Sequence, residues 1–313
     1  MVLYMANGNG SLCMIGLEKS QTNIELLNEA KKAFDSVFFV PIEAIGVGIS
    51  PSFSIQYRVT DLLKFSAVLP RIPKRISSYG YQLLSLFPST TYMPIKPIAF
   101  LLAEERFFLL TILRKRQIPT IDLQMTKSPK AAIRMLDESR FPVVIRTPNR
   151  KTGVIVDNIS EAKSVIEALG SLKQSVLIEE PVKNMVSVYV ARPGIIAAVK
   201  KKTKEKDVVF AEGEKKKQKI DKTVQQLALD ACSAIDSQIA RIDISLDDEP
   251  SVVNIELNPS LTGAGQAVGE NLPRLVIDSI KENYVRHQQK PVLMKFFEDA
   301  KSVVKDVLKT DQM

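Results

Sequence analysis

The sequence predicts an α/β (α+β) fold in more than one domain. Three observations carry that expectation. Residues 12–42 read strand–helix–strand, the order that builds a parallel sheet. Amphipathic helices with capping residues then alternate with short apolar strands. The 313 residues suffice for about two domains at roughly 150 residues each.

Taken in order, 12–17 is a short apolar strand. Ile24, Leu27, Ala30 and Phe34 recur at helical spacing over 23–34, and 37–42 returns as a strand. Segments 45–49 and 54–57 form a hairpin about Ser50-Pro51, and 66–69 is a further strand ending at Pro70-Arg71. One helix is expected over 103–115. Ser128-Pro129 gives the next helix an N-cap and a proline at its first position, and that helix ends near Arg140. Strands follow at 141–146 and 152–156, joined by Pro148-Asn149-Arg150-Lys151. Ser160 is expected to cap a helix with the apolar stripe Ala162, Val165, Ile166 and Leu169. A strand at 176–179 is broken by Pro181, and 186–190 with 195–200 makes a hairpin over Arg192-Pro193-Gly194. Residues 223–235 are helical. Strands 239–245 and 252–258 are joined by the acidic turn Asp247-Asp248-Glu249-Pro250. Two helices close the chain, the last with Val292, Phe296, Val303, Val304 and Val307 on one side.

Composition narrows the chemistry. There is one histidine, His287, and two cysteines far apart, Cys13 and Cys232. This excludes a disulfide framework and a cysteine zinc site and leaves little for Ser-His-Asp chemistry. Catalysis then falls to carboxylates, amides, Lys/Arg and a hard cation. No apolar run reaches the roughly 18 residues of a membrane span, and 12–17 lacks the basic flank of a signal peptide. The expectation is a soluble, cytoplasmic protein with no membrane partner. Lys plus Arg number 43 against 35 Asp plus Glu, a net charge of +8, which favours anionic partners. Much of the excess lies in 200–206 and 215–219, on either side of Val208-Val209-Phe210. Aromatic residues do not interleave with these lysines, so a solvated hairpin or loop is expected and a nucleic-acid partner is not. Gly46-Val47-Gly48 lacks the third glycine and the helix of a dinucleotide fingerprint.

Arg241-Ile242-Asp243-Ile244-Ser245 and Asn254-Ile255-Glu256-Leu257-Asn258 carry the most information. Strand side chains alternate, so Asp243 shares a face with Arg241 and Ser245, and Glu256 with Asn254 and Asn258. If the two strands pair, Asp243, Glu256 and Asn258 converge as three oxygen ligands, which suits Mg2+. Either strand alone equally fits a half-solvated antiparallel pair. Asn258 opens into Pro-Ser-Leu-Thr-Gly, a turn-rich loop of the kind that carries functional residues.

From about Phe65 to Glu282 the chain resembles the ATP-grasp carboxylate–amine ligases, in their RimK-like glutamate ligase branch. Ala67-Val68-Leu69-Pro70-Arg71-Ile72 with Tyr79-Gly80 resembles that branch's pre-ATP-grasp motif. Residues 141–146 resemble its phosphate-binding strand, Val176-Leu177-Ile178-Glu179-Glu180-Pro181-Val182 its adenine-contacting hinge, and Ile242-Asp243 with Glu256-Leu257-Asn258 its metal positions. The resemblance implies an ATP-grasp fold behind a Rossmann-like pre-ATP-grasp domain. The expected divisions are 1–97, a small lid subdomain at 98–182, a C-terminal subdomain with the metal site at 183–290, and an amphipathic helix at 291–313. It implies ATP and Mg2+, with Mn2+ as an alternative. ATP would phosphorylate a carboxylate, borne by a small molecule or a protein, and an amino acid such as glutamate would displace the phosphate. Arg106, Arg146, Glu179, Glu180, Val182 and Lys200 become the expected nucleotide contacts, and Asp243, Glu256 and Asn258 the metal ligands. Arg71 and Arg241 become the catalytic candidates, Arg71 as a bidentate holder of a substrate carboxylate or alternatively a surface ion pair. A homo-oligomer is among the assemblies expected.

The chain also departs from the family pattern. Arg106 and Arg146 stand where lysines are usual, and guanidinium does not replace ammonium freely. The loop Thr147-Pro148-Asn149-Arg150-Lys151-Thr152-Gly153 has one glycine where the family has several, and reads as well as a hairpin turn. The family's Asp-Ile-Arg element is replaced around Ser187-Val188-Tyr189, and its following Arg/Asn segment by the lysines of 200–219. Two further readings therefore stand beside the ligase: a catalytically silent ATP-grasp module that binds or regulates, and a nucleic-acid-associated protein using the lysines.

Overall fold

In the computed structural model, which describes residues 10–50, 52–137, 141–148, 153–201, 215–291 and 294, the chain divides into two units. The first takes the described residues up to Phe100 together with Ser260–Thr262 and those from Asn271 onward; the second takes Leu101–Pro259 and Gly263–Glu270.

The first unit begins with the expected crossover. Strand β1 (Ser11–Gly16) leads to helix α1 (Gln21–Ala33) and to strand β2 (Ser36–Pro41), which pairs parallel to β1. Ser20 caps α1, its side chain accepting from Asn23 N, and so fixes where the helix starts. Strands β3 (Gly46–Gly48), β4 (Ser54–Tyr57) and β5 (Thr60–Asp61) form a small antiparallel sheet. Strand β6 (Ala67–Arg71) then pairs parallel to the other side of β1, giving the order β2-β1-β6. Helix α2 (Ser77–Leu84) follows. A Cβ on Gly80 would sit 2.8 Å from Ile72 Cδ1 and 2.9 Å from its Cγ2, so α2 lies against Ile72 only because residue 80 has no side chain.

Helix α3 (Pro97–Glu104) carries the chain into the second unit, which begins at Leu101 within it, and helix α4 (Arg106–Lys115) follows. The single helix expected over 103–115 is thus broken. Glu105 has extended backbone, and its carboxylate accepts from Phe107 N and Phe108 N. It works as an N-cap, and Arg106 becomes the first residue of a new helix.

Strand β7 (Leu123–Thr126), which the sequence reading lacks, is followed by helix α5 (Pro129–Asp137), strands β8 (Val143–Arg146) and β9 (Val154–Val156), helix α6 (Ile159–Ser171) and strand β10 (Val176–Glu179). Asn158, not Ser160, caps α6; its Oδ1 accepts from Glu161 N while Glu161 Oε2 accepts from Asp157 N. The sheet order is β7-β10-β8-β9. Val143, Ile145, Val176 and Ile178 make a core with Ala132, Leu136, Ala162 and Ile166 of α5 and α6. The residues between them, Val144, Arg146, Leu177 and Glu179, lie on the other face.

Strands β11 (Met185–Ala191), β12 (Gly194–Lys201) and β13 (Lys215–Lys217), helix α7 (Lys222–Ala234) and strands β14 (Ile239–Ser245) and β15 (Ser251–Glu256) complete the unit with helix α8 (Thr262–Val268). The five strands are ordered β13-β12-β11-β14-β15, all antiparallel. Helix α9 (Leu272–Gln289) returns to the first unit and packs on α1. The final helix read from the sequence lies, apart from Pro291 and Met294, outside the described residues, as do residues 149–152 of the expected phosphate loop and residues 202–214 of the lysine stretch. Among the described residues, no helix is long and apolar enough to cross a membrane.

Candidate active site

One group of candidates is built on the polar face of the β7-β10-β8-β9 sheet. Arg146 (β8) and Glu179 (β10) are brought together by strand register, and Arg106 arrives from the first turn of α4. Each of the three is only 5 % exposed. Glu179 accepts from Arg106 Nη1, and its two oxygens lie 3.0 Å from Arg146 Nε and 3.2 Å from Arg146 Nη2. Two guanidiniums therefore hold one buried carboxylate. Burial pushes the Glu179 carboxyl above its ordinary value, and the Arg106 charge and hydrogen bond pull it back.

Arg106 also ties this sheet to the larger one. Its Nε donates to the Val253 carbonyl at 2.8 Å. Pairing between β14 and β15 runs Asp243↔Asn254 and then Ile244↔Val252, so Val253 is the extra residue of a bulge. A bulged residue falls out of the ladder, which leaves its carbonyl to Arg106.

On the larger sheet, Ser187, Asp243 and Asn254 lie in one cross-strand row, and Tyr189, Arg241 and Glu256 in the next on the same face. Asp243, 2 % exposed, is held by Arg241 through Nε and Nη2, both at 2.9 Å, by Ser187 Oγ at 2.6 Å and by Asn254 Nδ2 at 3.4 Å. Burial alone would lower the Arg241 pKa; Asp243, Tyr189 and Glu256 hold it above the ordinary value. The Tyr189 hydroxyl is pushed up, chiefly by burial. Glu256 Oε1 accepts from Asn258 N at 3.1 Å. Asn258 Oδ1 is buried and, among the described residues, has no hydrogen-bond partner. A buried carbonyl oxygen left in that state costs free energy, and a hard cation would satisfy it.

The remaining candidates fall elsewhere. Glu180 is exposed. Val182, with Ile121, packs against the buried pair Met185 and Val253. Lys200 is exposed and pairs with Val186, which puts it on the sheet face opposite Asp243. Arg71, in the first unit, is buried at the C-terminal end of β6, opposite Gly16, with its Nε donating to Asn23 Oδ1 at 2.9 Å. A cavity of about 500 Å³ between α4 and β7, floored by Phe107, Leu110 and Ile121, takes in none of the candidates. Sequence reasoning missed Ser187 as a partner of Asp243. The signal was present: Ser187 and Tyr189 interrupt the apolar strand Met185–Ala191 at a spacing of two.

With this geometry in view, residues 103–280 match the family model of the RimK-like ATP-grasp domain. The chain belongs to the RimK-like ATP-grasp family. Among curated relatives it is 26% identical over 242 residues to a probable alpha-L-glutamate ligase of Pseudomonas fluorescens (strain SBW25), covering 73% of this chain and 80% of the relative. It is 26% identical over 248 residues to the probable alpha-L-glutamate ligase of Nitrosococcus oceani, covering 74% and 82%. Its fold is similar to that of the ATP-grasp ligase PsnB complexed with minimal precursor, with a TM-score of 0.71, 16% identity and coverage of 90% and 99%. It is likewise similar to D-alanine–D-alanine ligase from Bacillus anthracis complexed with ATP, with a TM-score of 0.61, 17% identity and the same coverages. The ATP-grasp fold expected from the sequence is the fold observed.

Proposed function

We propose that this chain is an ATP- and Mg2+-dependent carboxylate–amine ligase that forms an amide through an acylphosphate, adding glutamate or a similar amino acid. The observation that carries the reading is the Arg106 side chain, which joins the Arg146–Glu179 pair to the bulge beside Asp243. The Arg106–Val253 hydrogen bond supports reading the Arg106–Glu179–Arg146 group and the Asp243 group as parts of one site, as transfer of a phosphoryl group requires.

In this reading a carboxylate oxygen of the acceptor attacks the γ-phosphorus of ATP and ADP leaves. The amine nitrogen of the amino acid then attacks the acyl carbon, the phosphate departs with the former carboxylate oxygen, and the amine gives up a proton. Arg106 and Arg146 bind and orient the nucleotide phosphates. Val182 and Ile121 offer an apolar wall to a base. Glu256, Asn258 and Asp243 would hold Mg2+, which when bound offsets charge on the phosphates. Arg241 keeps the Asp243 carboxylate aimed through two hydrogen bonds. Arg71 holds an acceptor or amino-acid carboxylate at the C-terminal ends of β1 and β6, the side of an open parallel sheet where ligands bind. The lid subdomain at 98–182 and the metal-bearing subdomain at 183–290 divide the work accordingly, in the cytoplasm.

The test is oxygen transfer. A panel of carboxylates labelled with 18O, with glutamate as amine, is incubated with Mg2+ and ATP, and released phosphate is weighed by mass spectrometry. One labelled oxygen per phosphate is expected; unlabelled phosphate means attack by water and rejects the acylphosphate. One observation favours the second reading, a module that binds without catalysing: Arg106 and Arg146 are both committed to Glu179, and Asp243 to Arg241, Ser187 and Asn254. That reading expects nucleotide binding with no phosphate released from any acceptor.

A further inference from the structure

The cavity between α4 and β7 stands apart from the charged site, within the second unit. Its volume of about 500 Å³ lies in the range of about 300–1,000 Å³ found for small-molecule sites. Phe107, Thr111 and Arg114 recur at i, i+4 and i+7 and make its helical wall. Leu110, fully buried, and Ile121 complete an apolar floor.

Most of the polar lining is already satisfied from within. The Thr111 hydroxyl donates to the Phe107 carbonyl at 2.8 Å. Arg114 Nη2 lies 2.8 Å from Asp122 Oδ1, and its Nε donates to Thr120 Oγ1 at 3.0 Å. Lys115 differs: it is exposed at the mouth and, among the described residues, has no ion pair. An apolar floor under one unbalanced positive charge suits a ligand with an apolar body and one anionic end. An exposed ammonium contributes little affinity by itself, so the body supplies the binding and Lys115 selects the sign of the charge.

The cavity is also wired to Arg106. That residue opens α4, the helix whose next turns form the cavity wall. On the other side, Ile121 N donates to the Val252 carbonyl at 3.2 Å, and Val252 N donates to the Pro119 carbonyl at 2.9 Å. Ile121 packs against the Met185–Val253 pair, and the Val253 carbonyl is the acceptor of Arg106 Nε. An occupant therefore touches both elements that Arg106 joins.

We propose that this cavity is an effector site for a small carboxylate with an apolar body, its carboxylate at Lys115 and its body on Phe107, Leu110 and Ile121. The proposal is independent of the ligase reading, and its test needs no nucleotide.

The experiment titrates the full chain with phenylbutyrate and with its cationic counterpart phenylbutylamine, by calorimetry and by 13C-methyl spectra of Ile, Leu and Val. The variants are Lys115→Ala, Lys115→Glu and Thr111→Trp, each checked for native circular dichroism. Thr111 bonds only within its own helix, so tryptophan there fills the cavity without breaking a contact between elements. Saturable binding of phenylbutyrate at millimolar concentration is expected, with shifts at Leu110, Ile121 and, through Ile121, Val253. Lys115→Ala should weaken it about three- to fivefold, the scale of an exposed ion pair. Lys115→Glu should weaken it further, and Thr111→Trp should abolish it. No binding of phenylbutyrate, equal binding of phenylbutylamine, or wild-type affinity in the Lys115 variants or in Thr111→Trp overturns the site. Binding that leaves the Val253 methyls unmoved overturns its role as an effector site.

Discussion

Glu179 is the residue on which most charge turns. With Arg106 and Arg146 both buried against it, Glu179→Leu leaves two guanidiniums facing each other without a counter-charge. A loss of about 3–5 kcal/mol in urea unfolding is expected, the usual consequence of breaking a buried ion pair from one side. Replacing all three by apolar residues, as Arg106→Met, Glu179→Leu and Arg146→Met, should cost less than Glu179→Leu alone; a larger, additive loss would contradict the triad. The thiols behave in the opposite sense. Burial pushes Cys13 and Cys232 up to about 12, against about 8.5 in an unfolded chain. Between those values the native state holds protons that the unfolded state has released, so stability falls as pH rises, by roughly 1.4 kcal/mol per unit per thiol. Neither thiol should react with a disulfide reagent at pH 8 until the chain is denatured; rapid labelling of native protein would refute this burial.

At the scale of elements, close approaches and caps decide stability. Gly80→Ala would drive a Cβ into Ile72 at 2.8 Å and should cost about 1–3 kcal/mol, as overpacking does. Adding Ile72→Val, which removes the Cδ1 atom, should recover part of it; no recovery would place the strain elsewhere. Much of this level was legible from the sequence, because period and caps are local. Residues 176–179 and 239–245 are strands with the predicted bounds, for their apolar runs end at a proline and an acidic turn. The break at Glu105 was not legible, since an unbroken apolar stripe favours one helix and only the backbone shows Glu105 capping its own successor. The α6 cap slipped by two because Asn158 and Ser160 are both capping types, and Glu161 reaching back to Asp157 N selects the former. In the site, the shared face of Arg241 and Asp243 follows from alternation along one strand. The Arg106–Glu179–Arg146 group does not, because its members are 33 to 73 residues from Glu179 and meet only through sheet order and the broken helix.

For the whole molecule, the proposed function makes one central claim: that the second unit binds Mg2+ and ATP, with Asp243, Glu256 and Asn258 as the metal ligands. A ligand that binds the native state alone raises stability by mass action, about 2.7 kcal/mol at a hundredfold excess over Kd, so saturating Mg2+-ATP should raise the unfolding midpoint while ATP with a chelator should not. The measurement that tests the claim most directly is calorimetric titration of Mg2+-ATP into the full chain and into the Asp243→Ala/Glu256→Ala variant, both shown to be folded. The account predicts Mg2+-dependent binding to the wild type that the variant loses. A folded wild type that takes up no Mg2+-ATP, or a variant that binds it as well as the wild type, would contradict it.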